Sequence, residues 1–196
     1  KTTANGRIPL VLGIGGNNTA EVVQTLKSTD FEGISAILSV TPYYNKPNQK
    51  GLYEHYKEIS KNSPVDIILY NVPGRTGTNL CAETTLQLAR EFKNIVAIKE
   101  ASGNFDQISH ICKHMPKGFA VISGDDALTL PLVAVGVSGV ISVTANAFPE
   151  MFTKMMHHAL KGNYFTARSV HYDLIDVMNT LFEEGNPAGI KAALSI

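Results

Sequence analysis

Lys99 stands in the stretch NIVAIKEASG (94–103), directly after the apolar run Ile95-Val96-Ala97-Ile98. A run of that kind is how a strand buried in a parallel sheet reads. An ammonium at its end is either a side chain snorkelling out of the core or an amine kept from water for chemistry. A lysine with the ordinary pKa of about 10.4 is protonated at neutral pH and cannot attack a carbonyl. Desolvation at the end of a buried strand disfavours the charged form and would make Lys99 nucleophilic. The alternative is an ion pair with Glu100 or another carboxylate at the rim, and strand position alone does not choose between the two. Tyr70 ends the preceding apolar run. Adjacent parallel strand ends lie about 4.8 Å apart, so its phenol is in reach of the Lys99 nitrogen as a proton relay, or is an edge aromatic with its hydroxyl in water. Arg75 follows Pro73-Gly74, whose backbone lets a guanidinium fold over a strand end as a bidentate carboxylate clamp; otherwise it is a solvated loop arginine.

Other groups point less sharply. GIGGNN (13–18) has glycines enough for a phosphate loop but neither the GxGxxG register nor a P-loop lysine, so a strand-to-helix turn is expected and no nucleotide. His110 and His114 have the i, i+4 spacing of a metal pair without a third ligand near them, and a solvated helix face explains them. His157 and His158 are adjacent and share no helix face. Asp125-Asp126 is read as a cap for the following helix rather than a metal site. Neither metal nor cofactor is expected.

Apolar, strand-like runs that would carry these groups occur at 9–15, 36–42, 66–72, 96–102, 120–126 and 139–144, with helical patterns at 19–26, 49–59, 82–92, 106–113, 128–135 and 149–160. Strand and helix alternate, which predicts a parallel sheet with right-handed crossovers. Polar side chains sit at the C-terminal end of every strand: Asn17, Thr41 and Tyr44, Tyr70 and Arg75, Lys99, Asp125 and Asp126, Thr144. An open sheet gathers its site from two or three strand ends and a barrel from all of them, so the spread favours a (β/α)8 TIM barrel. Six units do not close eight strands, and the sequence begins KTTANGRIP without a methionine. The expectation is therefore a partial barrel over residues 1–162, with two N-terminal strand-helix units and the C-terminal end lying outside this sequence. Residues 163–196, two further helical patterns with no strand between, form a C-terminal helical extension.

Composition narrows the partners. The chain has 196 residues with 17 basic and 17 acidic side chains and no basic stripe, which leaves nothing to draw it to nucleic acid or to an anionic membrane. No apolar stretch is of membrane-spanning length and no signal-peptide layout is present. Cys81 and Cys112 lie far apart without metal or redox spacing, which suits a reducing compartment, and cytoplasm is expected.

Five motifs in order and in register, VTPYYNKP (40–47), LYNVPGRTG (69–77), IKEASGN (98–104), SGDD (123–126) and GVISVTAN (139–146), closely resemble the dihydrodipicolinate synthase / N-acetylneuraminate lyase superfamily of class I aldolases, from about Gly6 to Lys191. Within it, NVPGRTG is similar to the dihydrodipicolinate synthase branch, with Arg75 carrying the distinction. The resemblance implies that Lys99 forms a Schiff base with pyruvate and that Tyr70 relays protons. It implies that Tyr44 reaches in from a neighbouring subunit, while the third member of the relay, a threonine, belongs to the units expected outside this sequence. Arg75 would hold the carboxylate of aspartate semialdehyde, and Gly124 and Ile141 would line the keto-acid pocket, although packing accounts for both almost as well. Asn17, Glu21 and Tyr43 match positions that bind lysine as a feedback inhibitor in some members, and a helix start, a first-turn carboxylate and interface packing are the alternatives. A homo-oligomer, in the family usually a tetramer of tight dimers, is implied. Two rivals stand beside this reading: an aldolase of the same superfamily acting on sialic acid or a keto-deoxy sugar acid, and a non-catalytic chain, since an open three-quarter barrel exposes two sheet edges.

Overall fold

Asn18, Asn48 and Asn104 each stand where extended backbone turns into a helix, and each side-chain oxygen accepts a hydrogen bond from an amide of the first turn, those of Ala20, Gly51 and Gln107. That is the asparagine N-cap, worth about 1 kcal/mol against alanine. The computed structural model describes residues 1–195 and divides into two units, 1–120 and the part from Val121 on.

The first unit alternates strand and helix: β1 (Val11–Gly13), α1 (Thr19–Ser28), β2 (Ala36–Val40), α2 (Gln49–Asn62), β3 (Asp66–Asn71), a single turn α3 (Pro73–Thr76), α4 (Ala82–Glu91), β4 (Ile95–Glu100) and α5 (Phe105–His114). The strands β1 to β4 pair in chain order and all in parallel. Ile37, Ile67, Leu69 and Ile98 of the strands and Leu52, Tyr56, Ile59 and Leu88 of the helices are fully buried between the layers. Each such aliphatic side chain contributes about 1.5–3 kcal/mol. The pairing of β3 with β4 is irregular at one place: Ile67 faces Ile95 and Ile68 faces Ala97, which leaves Val96 without an opposite number.

The second unit has β5 (Ala120–Ser123), α6 (Thr129–Val133), β6 (Gly139–Val140), a 3-10 turn at Thr144–Asn146, α7 (Pro149–Leu160), α8 (Tyr164–Glu183) and α9 (Ala188–Leu194), with β5 and β6 parallel. Phe152, Met155 and Ala159 of α7 pack on Ala167, Val170, Leu174 and Met178 of α8. Gly162 lets the chain reverse between these helices at φ +76°. Gly189 is fixed by crowding, since a Cβ there would lie 2.3 Å from the Leu181 carbonyl oxygen.

Where the elements depart from the sequence expectation, polar side chains are the cause. The last strand is expected over 139–144 but stops at Val140, and the Asp126 carboxylate takes up the amides of Val143 and Thr144. Asp126 thus ties two loops together instead of capping α6, while Asp125 accepts from the Leu128 amide ahead of that helix. The Pro-Gly-Arg turn proves to be one helical turn closed by Gly77 at φ +68°. Among the described residues, no helix is long and apolar enough to cross a membrane.

Candidate active site

Tyr70 and Lys99 are register partners at the ends of β3 and β4, and the Lys99 Nζ lies 4.3 Å from the centroid of the Tyr70 ring. Both side chains are half-buried. Strand alternation sends the next residue to the opposite face, and Glu100 is buried there with only 1% exposure. Its carboxylate accepts hydrogen bonds from Asn71 Nδ2, the Ser102 amide and Gln107 Nε2. Glu100 is thus engaged by three neutral donors on the face away from Lys99. Burial pushes the Tyr70 phenol up from its ordinary value and the nearby Arg75 charge pulls it back, the first effect prevailing, so the phenol keeps its proton at neutral pH.

Arg75 is presented by the turn α3. Pro73 starts it, the Arg75 and Thr76 amides bond back to the Val72 carbonyl, and the Gly77 amide bonds to the Pro73 carbonyl. The buried Thr76 hydroxyl donates its one proton to the nearer Thr78 carbonyl, with the Val72 carbonyl also within reach, and accepts from Thr41 Oγ1, which ties the turn to the end of β2. Gly77 leaves room for Lys46, whose Cε would lie 3.0 Å from a Cβ at that position. Tyr70, Arg75 and Thr76 line one largely apolar cleft of about 380 Å³, walled also by Leu38, Val72 and Tyr43.

Tyr44 lies outside this packing, 88% exposed at φ +71°, in the left-handed region that non-glycine residues enter rarely. Asn17, Glu21 and Tyr43 come together along a second, polar cleft of about 260 Å³, where Asn17 Nδ2 donates to the Tyr43 carbonyl. The helix cap there is Asn18 rather than Asn17, and its Nδ2 holds Glu21. Gly15 explains the glycine-rich turn beside it, since a Cβ would come within 2.8 Å of the Val40 amide nitrogen. In the second unit, Gly124 follows β5 and Ile141 follows β6, with the Ile141 amide bonded to the Ser123 carbonyl. The imidazoles of His110 and His114 have centroids 4.3 Å apart, and His114 Nδ1 donates to the His110 carbonyl. Among the described residues, no three of His, Cys, Asp and Glu gather as metal ligands would.

A family model described as the dihydrodipicolinate synthetase family matches residues 1–196. The chain belongs to the dihydrodipicolinate synthetase family. It is 55% identical over 195 residues to the 4-hydroxy-tetrahydrodipicolinate synthase of Parabacteroides distasonis, an alignment taking in 100% of this chain and 66% of that relative. The chain thus spans slightly less than two thirds of that family member's length. Among solved family structures, dihydrodipicolinate synthase from Aquifex aeolicus is similar at a TM-score of 0.96 and 44% identity, over 99% of this chain and 66% of that one. A chloride-inhibited dihydrodipicolinate synthase from Acinetobacter baumannii, complexed with pyruvate, is similar at 0.94 and 41% identity, over 99% and 66%. The alternation of strand and helix is accordingly that of a partial (β/α)8 barrel. The sequence missed two features of the site: the amide shell around Glu100 and the Thr41–Thr76 lock. A charged residue next to Lys99 in a strand whose neighbours alternate was the available signal for the first, because one of two adjacent charges had to face inward.

Proposed function

We propose that this chain carries the Schiff-base machinery of a 4-hydroxy-tetrahydrodipicolinate synthase, a class I aldolase joining pyruvate to aspartate semialdehyde. The observation that carries the reading is the Lys99 amine held over the Tyr70 ring at a sheet end, in a chain of this family. The unprotonated amine attacks the keto carbon of pyruvate, and the carbinolamine expels water as a protonated imine. The iminium withdraws electrons, so the methyl carbon releases a proton and becomes an enamine. That carbon then attacks the aldehyde carbon of the second substrate, whose oxygen is protonated as the new C–C bond forms. Tyr70, with its phenol protonated, serves the proton transfers, joined by Tyr44 from a second copy of the chain.

Arg75 holds the carboxylate of the aldehyde substrate, a role its rigid turn and its place on the wall of the Tyr70 cleft support. Gly124 and Ile141 line the keto-acid side, and their position at successive strand ends fits this. A homo-oligomer, a tetramer built from dimers, agrees with the outward phenol of Tyr44. The polar cleft of Asn17, Glu21 and Tyr43 suits a small amino acid such as lysine as effector. The helices α8 and α9, with no strand between them, support reading 163–196 as an extension of a barrel portion 1–162. The two half-buried free thiols suit the cytoplasm.

Incubation with pyruvate and borohydride tests the reading. Reduction of the imine should leave one pyruvate-derived group on Lys99, located by peptide mass mapping. A protein that stays unlabelled with pyruvate in excess would sink it.

A further inference from the structure

Glu100 contributes a carboxylate to the interior next to the reacting lysine, and nothing in the chemistry above uses it. Both of its oxygens accept and neither donates: Asn71 Nδ2 lies 3.1 Å from each, the Ser102 amide 2.8 Å from Oε1 and Gln107 Nε2 2.9 Å from Oε2. These donors are neutral and come from β3, from the turn after β4 and from α5. Behind them, Asn71 Oδ1 accepts from the Leu80 amide, and Asn79 bridges Asn71 and Gln107. Burying an ion among amides is unfavourable unless every lone pair is served, and an apolar side chain would close a strand end with less penalty.

The network sits where it can set geometry. Asn71 and Glu100 are register partners, one residue on from the partners Tyr70 and Lys99. Their hydrogen bonds pin the two strand ends on one face at the point where the amine and the phenol project from the other. We propose that Glu100 is a positioning residue: its carboxylate, clamped by Asn71 and Gln107, fixes the end of β4 so that the Lys99 amine stays over the Tyr70 ring. Lys99 as the nucleophile rests on the function proposed above; the clamp itself does not.

Glu100→Gln keeps the shape and replaces an acceptor with an NH2 group that must face the NH2 of Asn71 or Gln107. Two readouts apply. The ε-methylene NMR signal of Lys99, shifted by the Tyr70 ring current in the parent, should move toward that of exposed lysines. The limiting rate of borohydride trapping should fall about tenfold to a hundredfold, as for a misplacement of the order of 1 Å. The pyruvate concentration giving half that rate should change much less, a split that a general loss of folded protein would not produce. Should Glu100→Gln fail to fold, Gln107→Met removes one donor from a half-buried site, and a smaller loss of both signals is expected. A folded Glu100→Gln or Gln107→Met protein with the parent's chemical shift and trapping rate overturns the proposal. If the parent is never trapped but its Lys99 signal collapses in Glu100→Gln, the clamp stands and the aldolase reading falls.

Discussion

The Lys99 nitrogen lies over the face of the Tyr70 ring, 4.3 Å from its centroid, rather than at the edge that carries the hydroxyl. A cation in that position is stabilised by about 0.5–2 kcal/mol. On the function proposed above, the same contact would stabilise the protonated imine, and the ring would serve the intermediate while the phenol serves its protons. The two roles are separable. In Tyr70→Phe the ring remains and the hydroxyl goes. Trapping with pyruvate should persist while turnover falls by about 10²–10⁴-fold. Tyr70→Leu should weaken both, and Lys99→Met should abolish trapping. Equal losses in the Phe and Leu variants would refute the division of roles.

Arg75 should act on the second substrate only. Arg75→Lys keeps the charge and removes the fork, and the half-saturating concentration of aspartate semialdehyde should rise by about tenfold, the loss of one charge-assisted hydrogen bond. The trapping rate with pyruvate alone should be unchanged, and steady-state kinetics beside the trapping assay checks this. Gly77→Ala should raise the same concentration indirectly, because alanine is strained at φ +68° and its methyl meets Lys46.

His55 of α2 is 4% exposed, and Thr19 Oγ1 at the start of α1 lies 2.8 Å from its Nδ1. Burial lowers its pKa from 6.5 to about 4. The unfolded chain therefore gains a proton near 6.5 that the folded protein refuses until about 4. The contribution of His55 to stability is complete above about pH 6.5, declines as the pH falls and levels off below about 4. Its size is on the order of 3 kcal/mol at most. Denaturant unfolding at pH 7 and pH 4.5 should show a smaller difference in His55→Gln than in the parent; an equal difference would exclude His55 as a source.

Asp126, 3% exposed, takes the Val143 amide, the Thr144 amide and the Thr144 hydroxyl on one carboxylate oxygen. Asp126→Ala leaves three donors in a buried setting and should destabilise the second unit by about 3 kcal/mol or more. Hydrogen exchange at the amides of 143 and 144 should rise in the variant before the core amides of α7 and α8 change. Parent-like protection at those amides would count against this.

How legible the molecule was depends on the kind of interaction. Helix and strand positions followed from apolar period, because side chains such as Ile37, Leu69 and Ile98 must reach the interior whatever else the chain does. The pairing of Tyr70 with Lys99 followed from parallel strands of similar length. The end of β6 did not, since Asp126 and Thr144 lie far apart in sequence and no local pattern announces that they bond. The Glu100 shell was hidden for the same reason: Asn71 lies in an expected strand, Gln107 at the start of an expected helix and Asn79 between elements, and only the fold brings them to one carboxylate.

Val96 is the residue of β4 that faces no partner on β3. Ile95 pairs with Ile67 and Ala97 with Ile68, so the spare residue absorbs one step and the ladder resumes beyond it with Lys99 beside Tyr70. Removing Val96 would leave a regular ladder with the same partners downstream, whereas removing Ile98 would set Glu100 beside Tyr70. The bulge is thus a tolerant joint, and the two residues between it and Lys99 are the rigid spacer that decides which of two opposite charges stands beside the phenol.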